Sequence, residues 1–367
     1  MRSPNTVDFW RGFALVEIVI NHIPGNSLTR LTHSHYSWSD SAELFVFLAG
    51  WAFGRRLQGE QRLFPGVLAF VGVRFGKIYI GQLTTSLIVV CLYGYAAQSL
   101  SDFEVLQDNN AALAATSPGQ FLTGVLLLTQ QMRFVDVLPL YLLFILATPM
   151  IFIVGQKSNV ALLSLSTGLF GISLLLHPQL PTWPGFFNPL SWQAMFVVGF
   201  VIGGRLNFVE TLVQKAPLVV PVSWAFVAFS VGATIIGASP LAEPSPDSFT
   251  YYFFAKSSLG LLPLPQFLAL ALIASRLTFL IAQFLPNLWS LLSLLGRNSL
   301  AVFCVGTVVS AVGQICHRAG QRGVFFDLIF MLGATAILLL IAKARDYTRS
   351  RSRTRPIENC IELARPV

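Results

Sequence analysis

The chain has 367 residues, of which 54% are hydrophobic and only 11% charged, with a formal net charge of +8. A soluble domain carries about 25% charged residues, so this composition points to a protein embedded in a membrane. The apolar runs are continuous rather than alternating, which argues against a β-barrel and for helices that each satisfy their own backbone.

The first apolar segment, DFWRGFALVEIVINHIPG, is also the most informative. Arg11 and His22 lie eleven residues apart, and eleven steps of about 100° bring them back within about 20° of one helical face. They are separated by about 16 Å along the axis, roughly half a bilayer core. Asp8 shares that face, whereas Glu17 points about 140° away from His22 and belongs to another contact. Ionisable groups in a membrane are expensive and usually face a bundle interior or a wet cavity. They also interrupt the apolar core that a cleaved signal peptide needs.

Further along the chain the sequence predicts ten spans, at about 8–24, 41–57, 78–98, 136–155, 159–177, 189–206, 217–238, 257–276, 298–316 and 323–343. The expected fold is therefore an all-α, polytopic transmembrane bundle over residues 1–345, with a basic tail, 346–367, expected to be disordered. With both termini cytoplasmic, Arg55, Arg56, Arg62, Arg74, Lys77, Lys157, Arg205, Lys215, Arg276, Arg297 and the tail fall inside. Only Arg30, Arg133, Lys256, Arg318 and Arg322 fall outside, which is the positive-inside pattern. The net positive charge thus reflects topology and lipid contact rather than nucleic-acid binding. Between spans, residues 121–132 are too short to cross and read as an interfacial or re-entrant helix, and 278–298 read as lying along the membrane. Cys91, Cys304, Cys316 and Cys360 show no paired spacing, so neither a disulfide framework nor a metal site is expected. No phosphate loop, dinucleotide fingerprint or internal repeat is present.

The polar residues within these segments sort by depth. His22, at the outer end of the first span before Pro24-Gly25, is suited to general-base work. Asp40 and Glu43 open the second span. An N-cap at Ser39 or Asp40 accounts for one acid but not for Glu43, which sits one turn deep and is placed to meet and orient the imidazole. A structural ion pair with Arg30 or another span is the alternative. Asp136, Tyr141, Asn188, Trp192, Gln193 and Lys256 fall near the same outer level, either lining an outward polar cavity or serving as caps, belt residues and a snorkelling lysine. Arg55, Arg56, Arg74, Lys77 and Arg297 gather on the inner side, mostly as topology determinants, a few as candidate phosphate contacts.

Asp8-x-x-Arg11-Gly12 followed by His22 resembles the signature of the membrane acyltransferase type-three superfamily. The ordered set DFWRGFALVEIVINHIPGN, SDSAELFVFLAGW, VDVLPLYLL, NPLSWQ, KSSLGLLPLPQFLALA and LGRNSLAVFCVG is similar to its OpgC branch, over about residues 7 to 315. Asn21 departs from that branch, where an aspartate precedes the histidine. The resemblance implies a multi-span enzyme of the bacterial inner membrane. Such an enzyme moves an acyl group, succinyl in the OpgC branch, from a cytoplasmic acyl-CoA co-substrate to a hydroxyl of a periplasmic glucan, with no permanently bound cofactor. It implies His22 as base, Glu43 or Asp40 as its orienting acid, and Arg11 with Asp8, Arg74 and Arg297 toward the donor. Asp136, Tyr141, Asn188, Trp192, Gln193 and Lys256 are then expected toward the sugar. A cation near the far carboxylate of a succinyl group is wanted, and Lys256 and Arg133 are the candidates. The rival class is a transporter exporting a glycan or small anion, which also uses buried ionisable groups but more often shows repeat symmetry.

Overall fold

The computed structural model describes residues 5–58, 63–176, 185–205, 207–238, 240 and 243–363, with side chains as far as residue 349. Among the described residues there is no strand. The helices are α1 (Thr6–Asn21), α2 (Ser41–Leu57), α3 (Phe64–Ser99), α4 (Glu104–Asp108), α5 (Ala112–Thr116), α6 (Pro118–Leu126), α7 (Val137–Lys157) and α8 (Asn159–Leu175). They continue with α9 (Pro189–Gly204), α10 (Phe208–Lys215), α11 (Val219–Ile235), α12 (Phe249–Phe254), α13 (Pro263–Phe284), α14 (Pro286–Arg297), α15 (Ser299–Arg318) and α16 (Val324–Leu363). Two short 3-10 turns, Ser27–Leu31 and His33–His35, join α1 to α2.

A helix occupies each of the ten segments that the sequence marks as apolar. Five of them, α3, α7, α13, α15 and α16, are long and apolar enough to cross a membrane. Helices α1, α2, α8, α9 and α11 have only 16 or 17 residues, short of the roughly 20 that a span needs. Helix α9 and α10 together pass the same test as a pair bent by 91°.

Several boundaries differ from expectation for local reasons. Helix α3 starts at Phe64 instead of near 78, because Pro65 in its first turn favours a helix start. Its 36 residues reach about 54 Å, so Arg74 and Lys77 ride on a helix rather than a loop. Helix α13 starts at Pro263 instead of 257, because Leu259 holds a φ of 47° and ends the preceding turn. The short element expected at 121–132 is α6, which stops at Leu126 before Leu128 at φ 60°. No break at residue 345 interrupts α16.

The centre of the bundle is the crossing of α2 with α9. Gly50 and Gly54 on α2 face Gly199 and Gly203 on α9, each pair spaced four apart. A methyl group on any of the four would overlap a backbone carbonyl oxygen of the opposite helix, from Phe196, Phe200, Phe47 and Trp51 respectively. Small residues at this spacing let helix backbones approach closely. The same device joins α1 to α14, where Gly12 meets the Leu292 carbonyl and Gly296 meets that of Asp8. Around the α2–α9 contact lie Phe53, Phe144, Trp192, Phe196 and Phe200, all buried, with Phe144 and Phe196 ring centroids 5.3 Å apart. A second buried cluster, around Val89, Tyr93, Phe121 and Met132, packs α3 on the short helices that follow it.

Candidate functional site

Helix α1 carries both ends of the site. Its N-cap Asn5 accepts a hydrogen bond from the Asp8 amide at 2.9 Å and donates one to the Asp8 carboxylate at 2.7 Å. The buried Asp8 carboxylate thus sits in the first turn, where the helix dipole favours negative charge. One turn further on, the Arg11 guanidinium donates to the Leu48 carbonyl of α2 at 2.7 Å. The space beside them is a pocket of about 590 Å³ lined by Asn5, Asp8, Arg11, Trp51, Arg55 and Arg56, among others. Three guanidiniums against one carboxylate make a setting suited to phosphate, which arginine binds bidentately. Arg74 and Arg297 do not line this pocket. Arg74 is exposed on α3, and Arg297 pairs with Asp346 of α16 at 3.6 Å.

At its other end α1 stops on His22, whose amide donates to the Ile18 carbonyl at 2.9 Å. Pro24 and Gly25, with a φ of 83°, then turn the chain away. The imidazole lies against Phe134 with ring centroids 4.8 Å apart, and the Arg133 guanidinium lies over the same Phe134 ring, 4.9 Å from its centroid. Phe134 holds a φ of 66°, a left-handed conformation costing a bulky residue about 1–3 kcal/mol. The His22 Nδ1 is buried and, among the described residues, has no hydrogen-bond partner. Its backbone is fixed from α15 and α3: Gln314 Nε2 donates to the His22 carbonyl at 2.6 Å, and the Tyr93 hydroxyl donates to Gln314 Oε1 at 3.0 Å.

Asp40 and Glu43 form a capping box on α2. The Asp40 carboxylate accepts from the Ala42 amide at 2.6 Å, and Glu43 Oε2 accepts from the Asp40 amide at 2.8 Å. One cap therefore accounts for both acids, contrary to the expectation that a cap would leave Glu43 unexplained. Neither carboxylate hydrogen-bonds the His22 ring among the described residues. Glu43 keeps one buried oxygen without a partner. The cation paired with Asp40 is Lys256, at 3.2 Å, rather than Arg30. Burial works to raise the Asp40 carboxyl, but the Lys256 ammonium, the Glu43 side chain and the Ala42 amide hold it below the usual carboxylate range.

The remaining sugar-side candidates divide. Asp136 is buried and accepts from the Phe186 amide at 2.8 Å. Asn188 caps α9 by accepting from the Leu190 amide, and its own amide donates to the Ser257 carbonyl at 2.8 Å. Trp192 donates from its indole to the carbonyls of Lys256 and Ser257, at 2.9 and 3.1 Å. Asn188 and Trp192 thus hold the turn that presents Lys256 to Asp40. Gln193 exchanges two hydrogen bonds with Ser166 of α8, both 2.8 Å, and Tyr141 is a core ring near Phe45 and Phe53.

Two imidazole–carboxylate pairs escape a reading by spacing. Glu17 receives hydrogen bonds from the His33 amide at 2.9 Å and the Ser41 hydroxyl at 2.7 Å, and it pairs with His33 Nδ1 at 2.6 Å. His317 of α15 pairs with Asp327 of α16 at 2.7 Å, and Asp327 also accepts from the Ser27 amide at 2.7 Å. Both pairs clamp the connection between α1 and α2, so they brace the segment that follows His22. Among the described residues, no group of three or more His, Cys, Asp and Glu side chains is arranged as metal ligands.

Membrane-length apolar helices with acids, arginines and an imidazole held between them define a helical membrane protein. A family model described as OpgC protein matches residues 2–350, and the chain belongs to that family. No curated protein and no solved structure matches the chain. Membership agrees with the resemblance read from the sequence and implies a transferase role.

Proposed function

We propose that the protein is an integral membrane O-acyltransferase of the bacterial inner membrane. On this reading about ten spans, with both termini cytoplasmic, carry a succinyl group from cytoplasmic succinyl-CoA to a hydroxyl of a periplasmic glucan. The observation that carries the reading is the division of labour along α1. An arginine-rich pocket at Arg11, Arg55 and Arg56 lies at one end, and a buried imidazole nitrogen without a partner lies at the other, on His22. The pocket holds the phosphates of the donor. His22 takes the proton of the sugar hydroxyl as its oxygen attacks the thioester carbonyl carbon. The carbon–sulfur bond breaks, and the imidazolium returns its proton to the departing thiolate, leaving free CoA and a glucan ester. Most of the acceleration in such a direct transfer comes from positioning and this proton transfer.

Incubating the purified protein with labelled succinyl-CoA and glucan tests the reading. Labelled glucan ester is expected, whereas glucan movement across a sealed vesicle without label would replace the enzyme by a transporter. Arg11→Ala is expected to raise the KM for acyl-CoA with a smaller change in kcat, so an unchanged dependence on donor concentration would remove Arg11 from the donor site. Arg133 supports the choice of a carboxylated acyl group, because its guanidinium sits one ring away from His22, whereas Lys256 is occupied by Asp40. A charge-assisted hydrogen bond is worth about 1.5–3 kcal/mol. Arg133→Ala is therefore expected to lower the preference for succinyl-CoA over acetyl-CoA by about tenfold or more. Equal losses with both donors would exclude that role.

A further inference from the structure

A groove of about 1180 Å³ runs along the outside of the α2–α9 crossing, bounded by α1, α10, α11 and α13. Its wall is almost entirely aliphatic and aromatic, with Phe13, Leu48, Val198, Phe226 and Leu272 representative. Charged side chains are confined to few positions: Arg55, Arg205 and Arg276 against the single acid Glu210, with His33 also on the wall. The three arginines are exposed and, among the described residues, make no ion pair. Leu44 and Arg55 both line the groove, and the eleven helical steps between them cover about 16 Å. That is close to the thickness of one leaflet, half of a hydrocarbon core of about 30 Å.

We propose that this groove is a binding site for one anionic glycerophospholipid of the surrounding bilayer. Its acyl chain lies along α2 and α9, and its phosphate sits between Arg205 and Arg276, which line the groove but not the Arg11 pocket, leaving Arg55 to the donor. Each feature of the groove has a counterpart in that ligand. The apolar wall accepts a chain of leaflet length, and a three-to-one excess of arginine over acid selects a negative headgroup. Basic pockets between helices recognise anionic headgroups in this way. The proposal does not depend on acyl transfer. It bears on it, however, because the groove and the Arg11 pocket share Thr6, Val7, Trp51 and Arg55. A lipid held here fixes the wall against which the donor pocket is built.

Native mass spectrometry of the full chain, equilibrated with phosphatidylglycerol or phosphatidylcholine of identical acyl chains, tests the site. The expected result is one retained phosphatidylglycerol, with phosphatidylcholine retained at least fivefold less. The double variant Arg205→Gln, Arg276→Gln is expected to lose that preference, and Arg205→Lys, Arg276→Lys to keep most of it. Equal retention of the two lipids by the unaltered protein overturns the proposal without recourse to any variant. So does displacement of phosphatidylglycerol by saturating succinyl-CoA, which would assign the groove to the donor instead.

Discussion

His22→Ala is expected to reduce acyl transfer by about 10²–10⁴-fold while leaving the helices and membrane insertion unchanged. The ring's aromatic contact is with Phe134, at a tilt, and among the described residues its Nδ1 makes no hydrogen bond, so few stabilising interactions depend on it. The contact that fixes this end of α1 uses the backbone carbonyl of residue 22, through Gln314, and survives the substitution. Loss of a positioned base costs about 10²–10⁴-fold in rate, much more than any structural effect of removing this side chain. Turnover with labelled donor, measured alongside helicity and monodispersity in detergent, separates the two effects. Wild-type turnover in the variant would remove His22 from the chemistry. A collapsed, aggregated variant would mean instead that the ring is structural, which the unpartnered Nδ1 among the described residues argues against.

The helices are legible because continuous apolar runs exceed what a soluble fold tolerates, and a helix overlies each expected span, although only five are long and apolar enough to cross alone. Asp8, Arg11 and His22 were legible as a set because helical periodicity alone places them on one face. The capping box was also present in the pattern Asp40-Ser-Ala-Glu43, an acid three residues after an N-cap and before an apolar run. Glu43 belongs to that cap, and among the described residues it makes no hydrogen bond to His22. By contrast, the Glu17–His33 and His317–Asp327 pairs depend on how the 22–40 connection folds back and how the turn after α15 closes. Neither conformation leaves a periodic trace. Arg74 and Arg297 lie away from the pocket for a related reason: cations grouped by side of the membrane are not thereby grouped around one pocket. Arg55 and Arg56 line it because they leave the end of α2 that crosses α1.

Gly54→Ala is expected to be among the most costly single methyl additions to the protein, together with Gly50→Ala and Gly203→Ala in the same helix crossing. Adding a methylene to a well-filled core typically costs about 1–3 kcal/mol, because side chains yield before backbones do. At Gly54 no side chain is available to yield. The new carbon would overlap the carbonyl oxygen of Phe200, and the only relief is to part α2 from α9. Parting them opens the layer that buries Phe53, Phe196 and Phe200 together. It also moves Arg55 and Arg56, immediately after Gly54, away from the Arg11 pocket. The expected outcome is a lower yield of monodisperse protein, a lower thermal midpoint in detergent and a raised KM for the donor in whatever folds. Gly66→Ala is the matched control, since a methyl at Gly66 meets nothing within 4 Å. If Gly54→Ala melts with that control, the two helices do not meet through their glycines. The inner pocket would then have to be assembled by something other than the α2–α9 crossing.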